Sequence, residues 1–426
     1  MNSLRVLYRT ALFQLRRATD RPRVMPLSMI LSMTHRCQAR CKTCSIWKEY
    51  IRNPEEEADE LKLGEWERVF ASIGTAPLWF TLSGGNQFLR KDFPAIVEAL
   101  MRHCRPEIVN IPVSGLDPAA VRTRMADIAA ASDAYATRVM VNLSMDGLAA
   151  THDRVRGTKG DFANTVETFH LLQALRRDHP LLNVGVYSVI SSFNVREIPE
   201  VADFVTDILK PDAYTVEIAE PRDEFNVSRK IVPDMSAYLA AVDYVERKAA
   251  VHRRDRTHRL KGALRRRYHE IVRRQLVTGR AEIPCFAGVA SAQITPHGKV
   301  WSCCTTVRDL GDLRTADYDF KKVWYSRQAR TGVEDIRDTG CFCTHSNVYY
   351  TNILCHPPSL ARVATDVLLP WPRRSSAGRA AADAPAPATA PKPTAPARLP
   401  VVAGVAAAQP PASGGCCGDD APPPRV

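Results

Sequence analysis

Between residues 27 and about 220 the chain alternates strand-like and helix-like runs six times, and few folds accommodate that pattern. The strand-like runs are Leu27–Met33, Leu78–Leu82, Ile108–Val113, Val139–Ser144, Val184–Ile190 and Tyr214–Ile218. Helix-like runs fall near 62–73, 92–103, 118–132, 162–177 and 196–209. Strands that alternate with helices build βαβ units around a parallel sheet. Six such units predict an α/β chain folded as a partial (β/α)6 barrel of the TIM type. In such barrels the loops that do chemistry lie at the C-terminal ends of the strands.

The flanking segments have other patterns. Residues 1–24 hold a basic amphipathic helix over 3–17, with Leu4, Leu7, Tyr8, Ala11, Leu12 and Leu15 at helical spacing and Arg5, Arg9 and Arg16 beside them. That stripe suits a helix lying on a membrane surface and equally one docked on the rest of the protein. The barrel is expected over 25–233, followed by a basic helical connector over 234–284. Residues 285–360 form a small cysteine-rich unit, with short strands at Ala292–Thr295 and Val300–Cys303. The stretch 376–413 contains 15 Ala and 8 Pro, a composition that builds no packed core. The expectation is a disordered tail over 373–426, closing on the vicinal pair Cys416 and Cys417.

Net charge is +12 over 426 residues, which suggests an acidic partner only if the charge is clustered. It is clustered. Residues 247–280 hold 13 Lys/Arg against two acids, and residues 1–24 hold six Arg against one Asp. No run of 18 apolar residues is present, and no apolar segment with a cleavage site opens the chain, so neither a membrane span nor a signal peptide is expected. With 12 cysteines the default is a reduced, cytoplasmic protein whose thiols bind metal. The basic segments add peripheral attachment at the inner face of a membrane as a further expectation.

Cys37, Cys41 and Cys44 form a C-x3-C-x2-C triplet directly after the first strand. Thiolates are the natural ligands of iron–sulfur clusters, and a [4Fe–4S] cluster normally takes four. Three on one loop leave an iron open to a substrate or cofactor. A zinc site completed by His35 or by a distant Cys is the alternative. With its position after the first of six βα units, the triplet resembles that of the radical S-adenosylmethionine (SAM) family, over about residues 27–360. The resemblance implies that the triplet holds a [4Fe–4S] cluster whose open iron chelates SAM. Reductive cleavage of SAM then gives methionine and a 5′-deoxyadenosyl radical that abstracts hydrogen from an unactivated carbon. It also implies a reductant such as flavodoxin or ferredoxin.

Further motifs support the resemblance. Ser83-Gly84-Gly85-Asn86-Gln87 is similar to the family's Gly-Gly-Glu-Pro loop, which places Gly84, Gly85 and Asn86 against the SAM methionine moiety. Asn86 and Gln87 stand where Glu and Pro are usual, so a charge-assisted bond becomes a neutral one. Ser144-Met145-Asp146-Gly147, His152-Asp153-Arg154-Val155-Arg156-Gly157 and Gly160-Asp161-Phe162 resemble a pattern found in members with C-terminal cluster domains. Carried over, Ser144 contacts the ribose or methionine region, Arg156 pairs with the SAM carboxylate, and Asp146 supports the loop. Ser191 follows the fifth strand as a ribose contact, with Asn194 as a helix cap. Thr43 stands where relatives often carry an aromatic, and Ile46 or Trp47 is expected to cover the adenine instead.

Cys285, Gly298 and Cys303, followed by Cys341 and Cys343, resemble reduced SPASM or twitch extensions that hold auxiliary [4Fe–4S] clusters. The ligand set expected is Cys285, Cys303, Cys341 and Cys343, with Cys355 in reserve and Cys304 pointing away. The bland alternative is a zinc knuckle. Cys104 reads as a buried small hydrophobe. The auxiliary cluster would accept an electron from the substrate radical or anchor substrate. The resulting expectation is a radical SAM oxidoreductase or transferase acting on a lipid, peptide or sugar-type substrate. An RNA-modifying enzyme, motivated by the basic segment, and a non-catalytic iron–sulfur protein are the alternatives. The sequence names no catalytic side chain.

Overall fold

The six expected strands are present as β1 (Ser28–Ser32), β2 (Trp79–Ser83), β3 (Ile108–Val113), β4 (Arg138–Ser144), β5 (Leu182–Ile190) and β6 (Ala213–Ile218). The computed structural model describes residues 3–19, 21, 23–222, 225–251 and 256–368. The expected tail over 373–426, with Cys416 and Cys417, lies outside them. Each strand pairs in parallel with the next, from β1 to β6. Val109, Ile111 and Val113 of β3 face the surrounding helices and are buried. Asn110 and Pro112 alternate onto the inner face. There Asn142 Nδ2 donates to Asn110 Oδ1 at 2.6 Å, and Asn110 Nδ2 to Thr81 Oγ1 at 3.4 Å. The barrel is thus polar inside and apolar outside. Register also places Ser144, Tyr187 and Thr215 side by side across β4, β5 and β6.

The cysteine-rich unit continues this sheet. β7 (Ser291–Ile294) pairs in parallel with β1, and β8 (Lys299–Trp301) and β9 (Asp309–Asp312) extend it antiparallel. The order is β6-β5-β4-β3-β2-β1-β7-β8-β9. The sequence showed the two short strands near 292 and 300. The pairing of β7 with β1 is long-range and left no local signature.

Helices in chain order are α1 (Ser3–Thr19), α2 (Glu49–Arg52), α3 (Leu63–Ile73), α4 (Phe93–Cys104), α5 (Pro118–Ala134), α6 (Ala149–Arg156) and α7 (Asp161–Leu175). They continue as α8 (Ile198–Asp203), α9 (Met235–Val251), α10 (Arg256–Thr278), α11 (Phe320–Trp324), α12 (Arg327–Asp338), α13 (Ser346–Cys355) and α14 (Pro357–Leu368). α3 shows why such segments form. Glu65 Oε2 accepts from Lys62 N at 2.8 Å at its start, and Gly74, at φ 67°, ends it. Trp66, Val69, Phe70 and Ile73 recur at helical spacing and are buried. Burial of each such large side chain stabilises by about 1.5–3 kcal/mol. α13 touches both β1 and β5. Ser28 and Thr351 hydroxyls meet at 2.8 Å, and Tyr187 and Ser346 hydroxyls at 3.1 Å.

α1 is docked on the protein, and by the face opposite to its apolar stripe. Phe13, Arg9 and Arg16 are buried, whereas Tyr8 is 66% and Leu15 49% exposed. Arg9 donates to the carbonyls of Met25 and Pro26 at 2.8 and 3.0 Å, and Arg17 to that of Cys285 at 3.2 Å. Arg16 lies over the Trp324 ring at 4.7 Å. Guanidinium groups that satisfy main-chain carbonyls and aromatic faces can be the inner face of a helix. Apolar periodicity alone pointed to the other side. No helix among the described residues is long and apolar enough to cross a membrane.

Candidate active site

The cysteine triplet sits on the loop after β1, and two neighbouring loops hold that loop in place. On one side Gly85 N donates to Thr34 O at 2.7 Å and Asn86 N to Arg36 O at 2.8 Å. On the other, Arg40 N donates to Arg156 O at 3.1 Å and Lys42 N to Val155 O at 2.8 Å. The contacts leave no room for side chains at the glycines. A Cβ on Gly85 would lie 2.2 Å from Arg36 O, and one on Gly157 2.3 Å from Arg40 O. The close approach permitted by the Gly84-Gly85 turn is therefore to the cysteine loop itself. Arg90 ties the base of this assembly, donating to Met33 O at 2.8 Å and Leu61 O at 2.9 Å and pairing with Glu60 and Asp92.

Arg156, at the end of α6, faces the cysteines. Its side chain is 13% exposed and lies 3.3 Å from Asp146 Oδ2 and 3.7 Å from Asp161 Oδ2. Burial works against its charge, but Cys41, Asp146, Asp161 and Cys37 together raise its pKa above the ordinary guanidinium value. Burial pushes the Cys41 thiol up to about 12, partly opposed by Arg156, and raises Cys37 as well. Asp161 also takes His152 Nε2 at 3.3 Å, while His152 Nδ1 accepts from Asp146 N at 3.1 Å. The second contact fixes the tautomer, with the proton on Nε2. In the sequence His152 and Asp161 are two polar residues of the motif with no role of their own. Their function is to orient Arg156 through a buried network, which spacing alone does not reveal.

The residues present fit a [4Fe–4S] cluster with SAM. Three thiols share one clamped loop at the strand ends, and the buried Arg156 Nε beside them has no hydrogen-bond partner. It lies 3.7 Å from Asp161 Oδ2, beyond hydrogen-bond distance, so the guanidinium keeps hydrogen-bonding capacity for an anionic group such as a carboxylate. Among the described residues no three His, Cys, Asp or Glu side chains are placed to hold a single metal ion. A zinc ion draws its thiolates to ~2.3 Å, whereas four irons spread them over a larger body.

The other expected contacts occupy the same end of the barrel. Asn86 Oδ1 accepts from Phe88 N at 3.1 Å and its Nδ2 donates to Gln38 Oε1 at 3.0 Å, so the amide braces the cysteine loop. Gln87 Nε2 donates to Pro112 O at 2.5 Å, replacing the rigidity of a proline with a bond to β3. Ser144 ends β4 with its side chain on the inner face. Ser191 is buried, and its hydroxyl donates to Asn194 Oδ1 at 3.0 Å. Asn194 precedes the next turn without capping it. Its Nδ2 instead donates to Asp146 O at 2.9 Å and Val189 O at 2.8 Å, joining the β4 and β5 loops.

Cys285, Cys303, Cys341 and Cys343 line one small cavity together with Ile336 and Tyr349. Burial pushes the Cys285 thiol up to about 12 and raises the other three. Thr306 N donates to Cys303 Sγ at 3.5 Å and Gln275 Nε2 to Cys343 O at 2.9 Å. Four thiols around one cavity match the ligand number of a closed [4Fe–4S] cluster. Cys355 lies elsewhere, buried with Phe13 and Leu354. Cys104 is buried in the main core. Beside the cavity, Glu217 accepts from Ser346 N at 3.0 Å and Glu220 from Thr344 N at 2.9 Å. Neither carboxylate was singled out in the sequence, where each is one acid in a polar strand end.

The radical SAM superfamily pattern matches residues 31–205. A PqqA peptide cyclase of Rhodopseudomonas palustris is 32% identical over 201 residues, covering 46% of this chain and 47% of that protein. The antilisterial bacteriocin subtilosin biosynthesis protein AlbA of Bacillus subtilis is 22% identical over 355 residues, covering 78% of this chain and 71% of its own. The chain thus spans about half the length of the first of these relatives. Streptococcus suis SuiB, solved bound to the precursor peptide SuiA, shares the fold with a TM-score of 0.53 and 14% identity, over 78% of this chain and 76% of that one. Residues 31–205 are a radical SAM domain.

Proposed function

We propose that this protein is a radical SAM enzyme that abstracts hydrogen from an unactivated carbon of a peptide substrate, with an auxiliary [4Fe–4S] cluster in its C-terminal unit. The observation that carries this reading is the convergence of Cys37, Cys41, Cys44 and Arg156 at the strand ends of a parallel barrel. A peptide is favoured over a lipid or sugar because the relatives named above include a peptide cyclase and a bacteriocin biosynthesis protein. When bound, the cluster and SAM supply reductive cleavage to methionine and the 5′-deoxyadenosyl radical. The electron comes from an external reductant such as flavodoxin or ferredoxin.

The chain's own residues do the positioning. Cys37, Cys41 and Cys44 hold three irons, and the clamped loop fixes their geometry. Arg156 holds the SAM carboxylate, and Asp146 and Asp161 orient its guanidinium. The backbone beside Gly84 and Asn86 lines the methionine moiety, and Ser144 faces the ribose side. Cys285, Cys303, Cys341 and Cys343 hold the auxiliary cluster, which serves as electron acceptor or substrate anchor. The barrel wall excludes water from the reacting carbon. RNA is disfavoured because five cations of the basic segment, Lys248, Arg266, Arg267, Arg273 and Arg274, are engaged in ion pairs within the protein.

The reading is tested by incubating the anaerobically reconstituted protein with SAM and dithionite. It predicts 5′-deoxyadenosine, and intact clusters without that product would indicate a non-catalytic iron–sulfur protein. Cys285→Ala is expected to keep SAM cleavage, lose substrate turnover, and lower bound iron from about 8 to about 4 per chain. Iron analysis beside a cleavage assay checks this. Asn86→Glu is expected to tighten SAM binding several-fold by restoring a charge-assisted acceptor. Equilibrium binding of SAM measures it, and an unchanged affinity would remove Asn86 from the methionine contact.

A further inference from the structure

One cation of the basic segment, Arg265, reaches a residue on the inner face of the barrel without a carboxylate partner among the described residues. Along α9 and α10, Lys248 pairs with Asp203 and Asp207, Arg266 with Asp366, Arg267 with Glu270, Arg273 with Asp243 and Arg274 with Glu282, all within 3.3 Å. Arg265 is half-buried, and among the described residues no carboxylate lies within ion-pair distance of it. Its NH2 group donates to Thr215 Oγ1 at 3.1 Å, its guanidinium also hydrogen-bonds the Tyr350 hydroxyl, and its buried Nε has no partner. A guanidinium left in this state is costly unless an anion completes it.

The position of Thr215 identifies the site. Thr215 is in register with Tyr187, and Tyr187 with Ser144. The three share the inner face of the barrel in one transverse row. Strands lie ~4.8 Å apart, so Arg265 is anchored about 10 Å from Ser144, on the far side of the inner wall. That is a distance a substrate spans when one end lies beside SAM and the other meets the guanidinium.

We propose that Arg265 binds an anionic group of the substrate, a carboxylate or a phosphate, inside the barrel. This rests on the reading that SAM occupies the strand ends near Ser144. A planar guanidinium with a free Nε and a hydroxyl neighbour presents a fork that matches either oxyanion. The substrate is thereby fixed in register, with its anionic group toward β6 and its reacting carbon toward β4.

The test measures the melting temperature of the full chain at constant ionic strength with added N-acetyl-L-glutamate, inorganic phosphate or N-acetyl-L-glutamine. At least one of the two anions is expected to stabilise the wild type, and the neutral amide is not. Which anion acts separates the carboxylate from the phosphate. Arg265→Met is expected to weaken that binding about tenfold or more, and Arg265→Lys to weaken it less. If Arg265→Met does not fold, the comparison runs between Arg265→Lys and wild type. Anions that stabilise wild type and variant equally, or stabilise neither, overturn the proposal. SAM cleavage by the same wild-type preparation keeps the two readings apart. Cleavage without an Arg265-dependent anion effect defeats only the anion site, and an anion effect without cleavage defeats only the SAM reading.

Discussion

Cys41→Ala abolishes SAM cleavage and halves the bound iron, from about 8 to about 4 per chain. Cys37→Ala and Cys44→Ala do the same. The expected effect is this large because the triplet has no spare ligand. Its loop is held on both sides by backbone hydrogen bonds, from Gly85 and Asn86 onto Thr34 and Arg36 and from Arg40 and Lys42 onto the end of α6. No other cysteine among the described residues lies on that loop. The auxiliary thiols line their own cavity, so their iron is retained. Iron analysis and product chromatography on one preparation check both halves. A cysteine variant that retains both its iron and its cleavage would show that the cluster is held elsewhere.

Gly157→Ala is expected to be nearly as damaging, although it removes no ligand. Gly157 ends α6 at φ 69°, a left-handed conformation that costs an L-residue about 1–2 kcal/mol. The added Cβ would also lie 2.3 Å from Arg40 O, which is main chain and cannot swing aside. The cysteine loop must move away from Arg156, which follows the helix end. SAM cleavage is expected to fall at least about tenfold with partial loss of the triplet's iron, while far-UV circular dichroism stays native. An unaffected cleavage rate would show that the clamp is not needed to shape the loop.

Local pattern made the barrel legible and left the extension of its sheet hidden. The six parallel strands follow from apolar runs bounded by turns, and their observed limits lie within a few residues of those runs. Parallel pairing of β7 with β1 joins residues more than 250 positions apart, and no window of sequence contains both. α1 shows where apolar periodicity misleads. Its stripe through Tyr8 and Leu15 faces outward because arginines on the other side satisfy carbonyls and aromatic faces. The same holds at the site. The cysteine triplet is visible in the sequence because its three thiols lie within eight residues of one loop. The support given by His152 and Asp161, and the inward turn of Arg265, depend on which elements meet. Part of the charge surplus that suggested a docking surface is engaged within the protein, as Lys248, Arg266, Arg267, Arg273 and Arg274 pair with acids.

The central claim is that three cysteines and Arg156 form a site where one iron is left open for SAM. Mössbauer spectra of the 57Fe-reconstituted protein with and without SAM test it most directly. SAM is expected to change the parameters of a single iron of the triplet cluster, and Arg156→Met to raise the SAM concentration needed to produce that change. Spectra identical with and without saturating SAM, in protein carrying about 8 iron, would contradict it.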